Sequence, residues 1–291
     1  MPAIITFLGT SGSIPSVDRG VPSFALNWQG EVFLFDAGEG FQRQMMRYKV
    51  GYGSVSHVFI THLHLDHFVG IYGFIETLRL AGAKKLFIYA PRGFENLLIN
   101  KWDFVKINEL REGEVLKGKD YSVSAFRVKH GGRAFGFVFK EKDQIKFDEK
   151  KAKGLGIKGR LFSEIEKKGE IVVNGKKILL SEVSLVRPGR KIVYSGDTSS
   201  DEGVAKHANG AAILIHEATF LEEHKDEAEM RMHSTAAQAA KIASKAGVKM
   251  LVLTHISPRY HLSDEQKFVK EAKTHFKGDV VVARDGMTIE L

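Results

Sequence analysis

Cysteine is absent from all 291 residues, so neither disulfides nor thiolate ligands can contribute. Any metal site must be built from nitrogen and oxygen donors, a set that suits Zn, Mn or Fe. No apolar stretch approaches the roughly 20 residues of a membrane span. No secretory leader is seen either, because Met1-Pro2-Ala3 runs straight into the strand-like Ile4-Ile5-Thr6-Phe7-Leu8. These absences point to a cytoplasmic protein. Surplus negative charge is also missing: the formal net charge is +8, which fits a polyanionic partner. Over residues 140–177 there are 12 Lys and Arg against 7 Asp and Glu, so more than half of the excess sits in one segment. That segment also holds Gly154, Gly156, Gly159 and Gly169 and has weak apolar periodicity in its middle. It reads as a projecting basic arm, placed at 148–170; a solvated lysine-rich loop would have the same composition.

What is present begins with a core. Hydrophobic residues make up 43% of the chain, and the length lies near the upper end for one domain, so a single domain over 1–291 with an insertion is expected. Strand patterns at 4–8, 24–28 and 32–36 lead to a helix at 41–48. Helical spacing over 68–80 stops at Gly82, residues 85–90 read as a strand, and residues 91–100 read as a helix. Asn174-Gly175 between two apolar triplets is a hairpin signal. Ser234 stands where a cap would open a helix over 235–245, and Asp285-Gly286 turns between the last two strands. Two strand-rich halves with helices between them predict an α/β fold: a sheet-on-sheet sandwich with helices outside.

The chemistry concentrates in His62-Leu63-His64-Leu65-Asp66-His67, directly after the apolar run Val58-Phe59-Ile60-Thr61. Burying so many polar rings without a charge partner would cost several kcal/mol. His62 and His64, two apart on an extended tail, can reach one ion from the same side, whereas Asp66 and His67 follow a reversal and point to a neighbouring position. Since one zinc takes about four ligands, the motif is half of a paired site. In open α/β folds working groups collect beyond the carboxyl ends of strands. Three more residues hold such positions: His130, Asp197 and His255. A carboxylate such as Asp197 can bridge two cations. The expected sets are His62, His64, His130 and Asp197 on one ion, and Asp66, His67, Asp197 and His255 on the other.

These residues resemble the signature of the metallo-β-lactamase superfamily, whose fold is an αββα sandwich with a dinuclear site on one edge. From end to end the chain resembles the ribonuclease Z family, tRNA 3′-processing endonucleases of the short form. The matching stretches are Phe7-Leu8-Gly9-Thr10-Ser11-Gly12-Ser13, Phe35-Asp36-Ala37-Gly38-Glu39-Gly40, Tyr194-Ser195-Gly196-Asp197-Thr198, His216-Glu217-Ala218-Thr219, His233-Ser234-Thr235 and His255-x-Ser257-x-Arg259-Tyr260. The resemblance implies two zinc ions, with Mn or Fe as substitutes, and a precursor tRNA cut to leave a 3′-hydroxyl on the tRNA and a 5′-phosphate on the trailer. It implies that Asp66 orients the attacking water and that His233, held by Glu217, protonates the leaving oxygen. His216 is read as structural. Arg259 is a phosphate contact or a core ion-pair partner. The arm, with Lys158 and Arg160, would grip the tRNA by shape, and a homodimer would let each arm serve the partner's site. Two other readings stay open: hydrolysis of small phosphodiesters, and a noncatalytic RNA-binding protein.

Two departures from the family pattern stand out. Its arm usually carries Gly-Pro, whereas Gly156-Ile157-Lys158-Gly159-Arg160-Leu161 has no proline. The loop Pro15-Ser16-Val17-Asp18-Arg19-Gly20 lacks the Lys and Asn of the Pro-x-Lys-x-Arg-Asn form linked to rejection of tRNAs ending in CCA.

Overall fold

The structure is a computed structural model and describes residues 3–291. Six strands come first: β1 (Ala3–Gly9), β2 (Ser23–Trp28), β3 (Glu31–Phe35), β4 (Val55–Phe59), β5 (Leu86–Ala90) and β6 (Val105–Glu109). Then come β7 (Gly113–Lys117), β8 (Tyr121–Arg127) and β9 (Phe135–Glu141). The short strands β10 (Gln144–Phe147), β11 (Glu170–Val173), β12 (Lys176–Leu179) and β13 (Ser184–Arg187) follow. The chain closes with β14 (Lys191–Tyr194), β15 (Ile213–Glu217), β16 (Met250–Thr254), β17 (Asp279–Val282) and β18 (Thr288–Glu290). One seven-stranded sheet runs β18-β1-β2-β3-β4-β5-β6 and the other β17-β16-β15-β14-β9-β8-β7.

The two-residue period of the strands builds the layers. In β3, Val32 and Leu34 point into an aliphatic cluster shared with the helices Phe41–Arg47 and Ile71–Leu80. Phe33 and Phe35 point the other way, into an aromatic seam between the sheets. There Phe35 meets Phe137 at 5.8 Å, Phe33 meets Phe139 at 5.5 Å, and Phe24 meets Tyr194 edge-on at 5.0 Å. The second sheet buries its outer face under the helices Glu202–Ala208, Ala236–Ala246 and Glu265–Lys273. The expected helix-clad sandwich is therefore found, with two mixed sheets. β3 to β6 run parallel, as do β14 to β17, so their carboxyl ends lie together along one edge of each sheet.

The Asn174-Gly175 hairpin signal holds, and a second hairpin joins β2 to β3. Gln29-Gly30 and Asn174-Gly175 each place two successive residues in the left-handed region, as a two-residue turn matched to strand twist requires. Three local expectations are corrected. Residues 91–100 hold only a 3₁₀ turn, Phe94–Leu97: Gly93 at φ 100° breaks the chain direction, and Ile99, 83% exposed, has no core to face. The helix expected over 68–80 is two helices, Leu65–Phe68 and Ile71–Leu80. Between them Gly70 donates its N–H to the Ala37 carbonyl, and a β-carbon there would lie 2.2 Å from the Gly38 oxygen. The helix Ala236–Ala246 is capped by Thr235, not Ser234. Thr235 and Gln238 form a reciprocal capping box, while the Ser234 hydroxyl donates to the Thr198 carbonyl.

The chain divides into two compact units, the second made of Gly118–Tyr121 and Lys140–Arg190. The segment 148–170 lies within it. This unit has its own small core of Ala152, Ile157, Ile165, Ile171, Ile178 and Val183, with the helices Glu149–Gly154 and Arg160–Lys168 laid over it. No helix among the described residues is long and apolar enough to cross a membrane.

Candidate metal centre

Five strand ends deliver the site. β4 runs into His62 to His67, β8 precedes His130, β14 precedes Asp197, β15 ends in Glu217 and β16 precedes His255. The loop after β3 packs beneath this cluster. Ala37 donates its N–H to the His67 carbonyl, and a β-carbon on Gly38 would lie 2.4 Å from the Asp66 carbonyl oxygen. The small-residue loop after β1 lies equally close: a β-carbon on Gly12 would fall 2.7 Å from the His255 ring, and the Ser13 N–H donates to Asp66 Oδ2 at 3.0 Å.

The structure brings the seven expected donors together around two neighbouring points. Around one, His62 Nε2 lies 2.9 Å from His64 Nδ1, His130 Nε2 lies 3.2 Å from the same atom, and Asp197 Oδ2 lies 3.7 and 3.9 Å from His62 and His130. Around the other, Asp197 Oδ2 is 3.2 Å from His67 Nε2 and 3.1 Å from His255 Nε2, while Asp66 Oδ2 is 3.5 and 3.6 Å from those two nitrogens. Ligands at roughly 2.0–2.2 Å around a tetrahedral ion sit about 3.3–3.6 Å apart. Asp197 Oδ2 belongs to both sets.

Hydrogen bonds on the far side of each ring say which nitrogen faces the cluster. His67 Nδ1 donates to Asp36 at 2.8 Å, and His130 Nδ1 donates to the Met232 carbonyl at 2.8 Å. His255 Nδ1 donates to the Thr219 hydroxyl at 2.8 Å, which in turn donates to Glu217. With Nδ1 carrying the proton, each Nε2 presents a lone pair inward. His67 Nε2, His255 Nε2 and Asp197 Oδ1 are buried and have no hydrogen-bond partner among the described residues. Buried ring nitrogens and a carboxylate oxygen gathered without hydrogen-bond partners are destabilising without positive charge among them, so the residues present fit divalent metal. His130, Asp197 and His233, and likewise Glu217, His233 and His255, could be grouped as donors. Glu217, however, is fully engaged: it accepts from the Thr198 and Thr219 N–H groups, the Thr219 hydroxyl and His233 Nδ1.

Electrostatics follow the same plan. Burial and the neighbouring His67 hold the His62 imidazole well below its ordinary value, so it is neutral, as a ligand must be. Burial alone would also depress His255, but the Asp197 and Asp66 carboxylates outweigh it and push the ring up to about 10. Burial would raise Asp197, yet the flanking His255 and His67 hold it well below the carboxylate range. Protons on His67 and His255 thus stand where cations would sit. Asp66 is lowered too, its burial overcome by His67 and His255, and it is ionised at neutral pH.

His233 stands beside the cluster, its ring 4.9 Å from that of His130 and 5.1 Å from that of His255. His216 is buried on β15 with Nδ1 2.6 Å from the Glu217 carbonyl, away from the centre. Arg259 is not brought to the metal ligands. It makes a two-pronged ion pair with Glu227, at 2.7 and 2.8 Å, on a half-exposed surface and not in a core. Lys158 and Arg160 are exposed in the second unit, with no ion-pair partner among the described residues. Arg19 is buried against Glu265 at 2.5 Å, so it fastens its loop from inside. Sequence reasoning missed Asp36, which accepts from Thr61, His67 and Tyr194 and sits at φ 56°. Its place just past β3 obeys the same strand-end rule as the ligands and could have revealed it. Thr219, two residues past β15, obeys it too, whereas the Met232 carbonyl carries no such signal.

Residues 3–153 match the family described as Anti-Pycsar protein Apyc1, and residues 173–256 match the β-lactamase superfamily domain. The metallo-β-lactamase fold protein YhfI of Bacillus subtilis superposes with a TM-score of 0.76 at 18% identity over all of both chains, a likeness of fold alone. The fold and the donor cluster thus place the chain in the metallo-β-lactamase superfamily. A ribonuclease Z of Archaeoglobus fulgidus is 42% identical over 99% of this chain and 97% of its own, and one of Methanosarcina acetivorans is 41% identical over the same shares. The human short-form tRNase Z is 29% identical with a TM-score of 0.72, covering 98% of both chains. Within that superfamily, the chain belongs to the ribonuclease Z family.

Proposed function

We propose that this chain is a metal-dependent endoribonuclease that removes the 3′ trailer from precursor tRNA. Family membership supports the reaction class; the observation that carries the mechanism is the Glu217–His233 pair, 2.8 Å apart, with the His233 ring 4.9 Å from that of His130 and 5.1 Å from that of His255. The centre would hold two divalent ions, zinc in the first instance, through His62, His64 and His130 on one side, Asp66, His67 and His255 on the other, and Asp197 between. Bound there, such ions supply Lewis-acid charge that activates water and steadies the phosphoryl oxygens.

The remaining work falls to side chains. Asp66, ionised and partly open, orients the attacking water and can take its proton. Attack at phosphorus breaks the bond to the 3′-oxygen of the tRNA, which leaves needing a proton. Glu217 fixes His233 through Nδ1, so the ring's other nitrogen is free to deliver it. The tRNA then keeps a 3′-hydroxyl, and the trailer carries the 5′-phosphate.

The basic segment 148–170, with Lys158 and Arg160, would contact tRNA phosphates away from the cut, in a homodimer whose arms serve each other's sites. Incubating the purified protein with a 3′-extended pre-tRNA and Zn or Mn, then mapping both new ends, tests this reading. A 3′-hydroxyl at the end of the acceptor stem is expected; an intact RNA or a 3′-phosphate would refute it.

A further inference from the structure

A cavity of about 280 Å³ opens beside the donor cluster, and His62, His64, Arg92, Gly131 and Arg133 contribute to its lining. Arg92 arrives just past β5, on the same edge as the metal ligands. Arg133 follows His130 by three residues, swung round by Gly132 at φ 75°. Both side chains are exposed, and neither has an ion pair or a hydrogen bond among the described residues. What sets these two apart from other exposed arginines is their place, on the wall of a cavity that His62 and His64 also line. Two guanidinium groups on the wall of a cavity shared with metal ligands give it a positive field that favours an anion.

The phosphate that is cut must meet Asp66, Asp197 and His233, none of which lines the cavity, and this leaves the two arginines for a neighbouring anionic group. We propose that Arg92 and Arg133 form a subsite for the phosphodiester next to the scissile one, so that the nucleic-acid backbone is held on one side of the cut. A planar guanidinium matches two phosphate oxygens at once, and a pair of them can fix the strand's direction as well as its position. The subsite rests on the tRNA reading above and adds residues to it.

The test uses pre-tRNAs carrying one neutral methylphosphonate linkage, placed either 5′ or 3′ to the cleavage position. Binding is read by fluorescence anisotropy in chelator, and single-turnover cleavage is read with Zn. For the wild-type protein, one of the two placements should weaken binding about 10- to 100-fold, the scale of hydrogen bonds to a charged group. With Arg92→Gln/Arg133→Gln, the unmodified RNA should already bind that much more weakly, and the neutral linkage should cost no more than about twofold further. Arg92→Lys/Arg133→Lys should recover part of the loss by restoring charge without the fork. If both placements cost the wild-type and the Gln variant equally, the subsite is overturned. If the wild-type fails to bind unmodified pre-tRNA, the tRNA reading falls first and the subsite with it.

Discussion

Replacing Asp36 by Asn tests whether the far side of the rings governs metal capture. Asp36 is fully buried and receives the Thr61 N–H at 2.8 Å on Oδ1. Its Oδ2 receives His67 Nδ1 and the Tyr194 hydroxyl, both at 2.8 Å. Asn has the same shape and tolerates the left-handed backbone, so space and strain stay constant. Its amide nitrogen, placed toward His67 and Tyr194, faces two donors. The ring can answer only by moving its proton to Nε2, the atom that must be bare to ligate. Turned over, the amide confronts the Thr61 N–H instead. Each buried donor left without an acceptor costs about 1–3 kcal/mol, and loss of a ring-orienting carboxylate typically lowers metal affinity about 10- to 100-fold. Competition with a fluorescent zinc chelator, alongside a thermal melt of the metal-free protein, separates the two effects. Wild-type zinc affinity in a folded Asp36→Asn protein would refute the reasoning.

Glu217→Gln should keep metal and pre-tRNA binding but lower single-turnover cleavage by about 10²–10⁴; a change confined to binding would remove His233 from proton delivery. Gly12→Ala presses a methyl group into the His255 ring and should reduce zinc content measured by elemental analysis, with Gly154→Ala, which meets nothing within 4 Å, as control. Replacing Lys150, Lys151, Lys158 and Arg160 together by Gln should weaken tRNA binding and flatten its salt dependence by up to about four units of slope, and an unchanged slope would take the arm out of recognition. Deleting the arm is a poorer test, because Ala152, Ile157 and Ile165 are its core. Chelation should lower the midpoint of thermal unfolding, and re-addition of zinc should restore it; a midpoint indifferent to both would speak against cation binding at the cluster.

The donor cluster was legible because two periodicities coincide: alternation along each strand fixes which sheet face is buried, and parallel strands bring their carboxyl ends to one rim. His62, Asp197 and His255 could be found that way without any contact map. Helix ends were harder. Ser234 and Thr235 are both able caps, and only Gln238, three residues after the second, decides between them. Residues 91–100 look helical until the exposure of Ile99 and the reversed φ of Gly93 are known, both set by tertiary packing. Arg259 was ambiguous because its partner, Glu227, lies 32 residues away on a separate helix. The weak periodicity of 148–170 concealed a small core because the six buried residues of the second unit come from short helices and strands and the turn at Ile157, none long enough to show a repeat.

Asp197 Oδ2, carried by the second sheet, ties His62 and His67 of the first sheet to His255 of its own. The first sheet alone supplies only the His62 to His67 segment, too few donors to enclose two ions, until docking of the second brings the rest. Cation uptake is therefore a late event that reports a finished tertiary structure: time-resolved zinc binding during refolding should trail the burial of Tyr194, and a chain stalled halfway would circulate without hydrolytic power toward RNA.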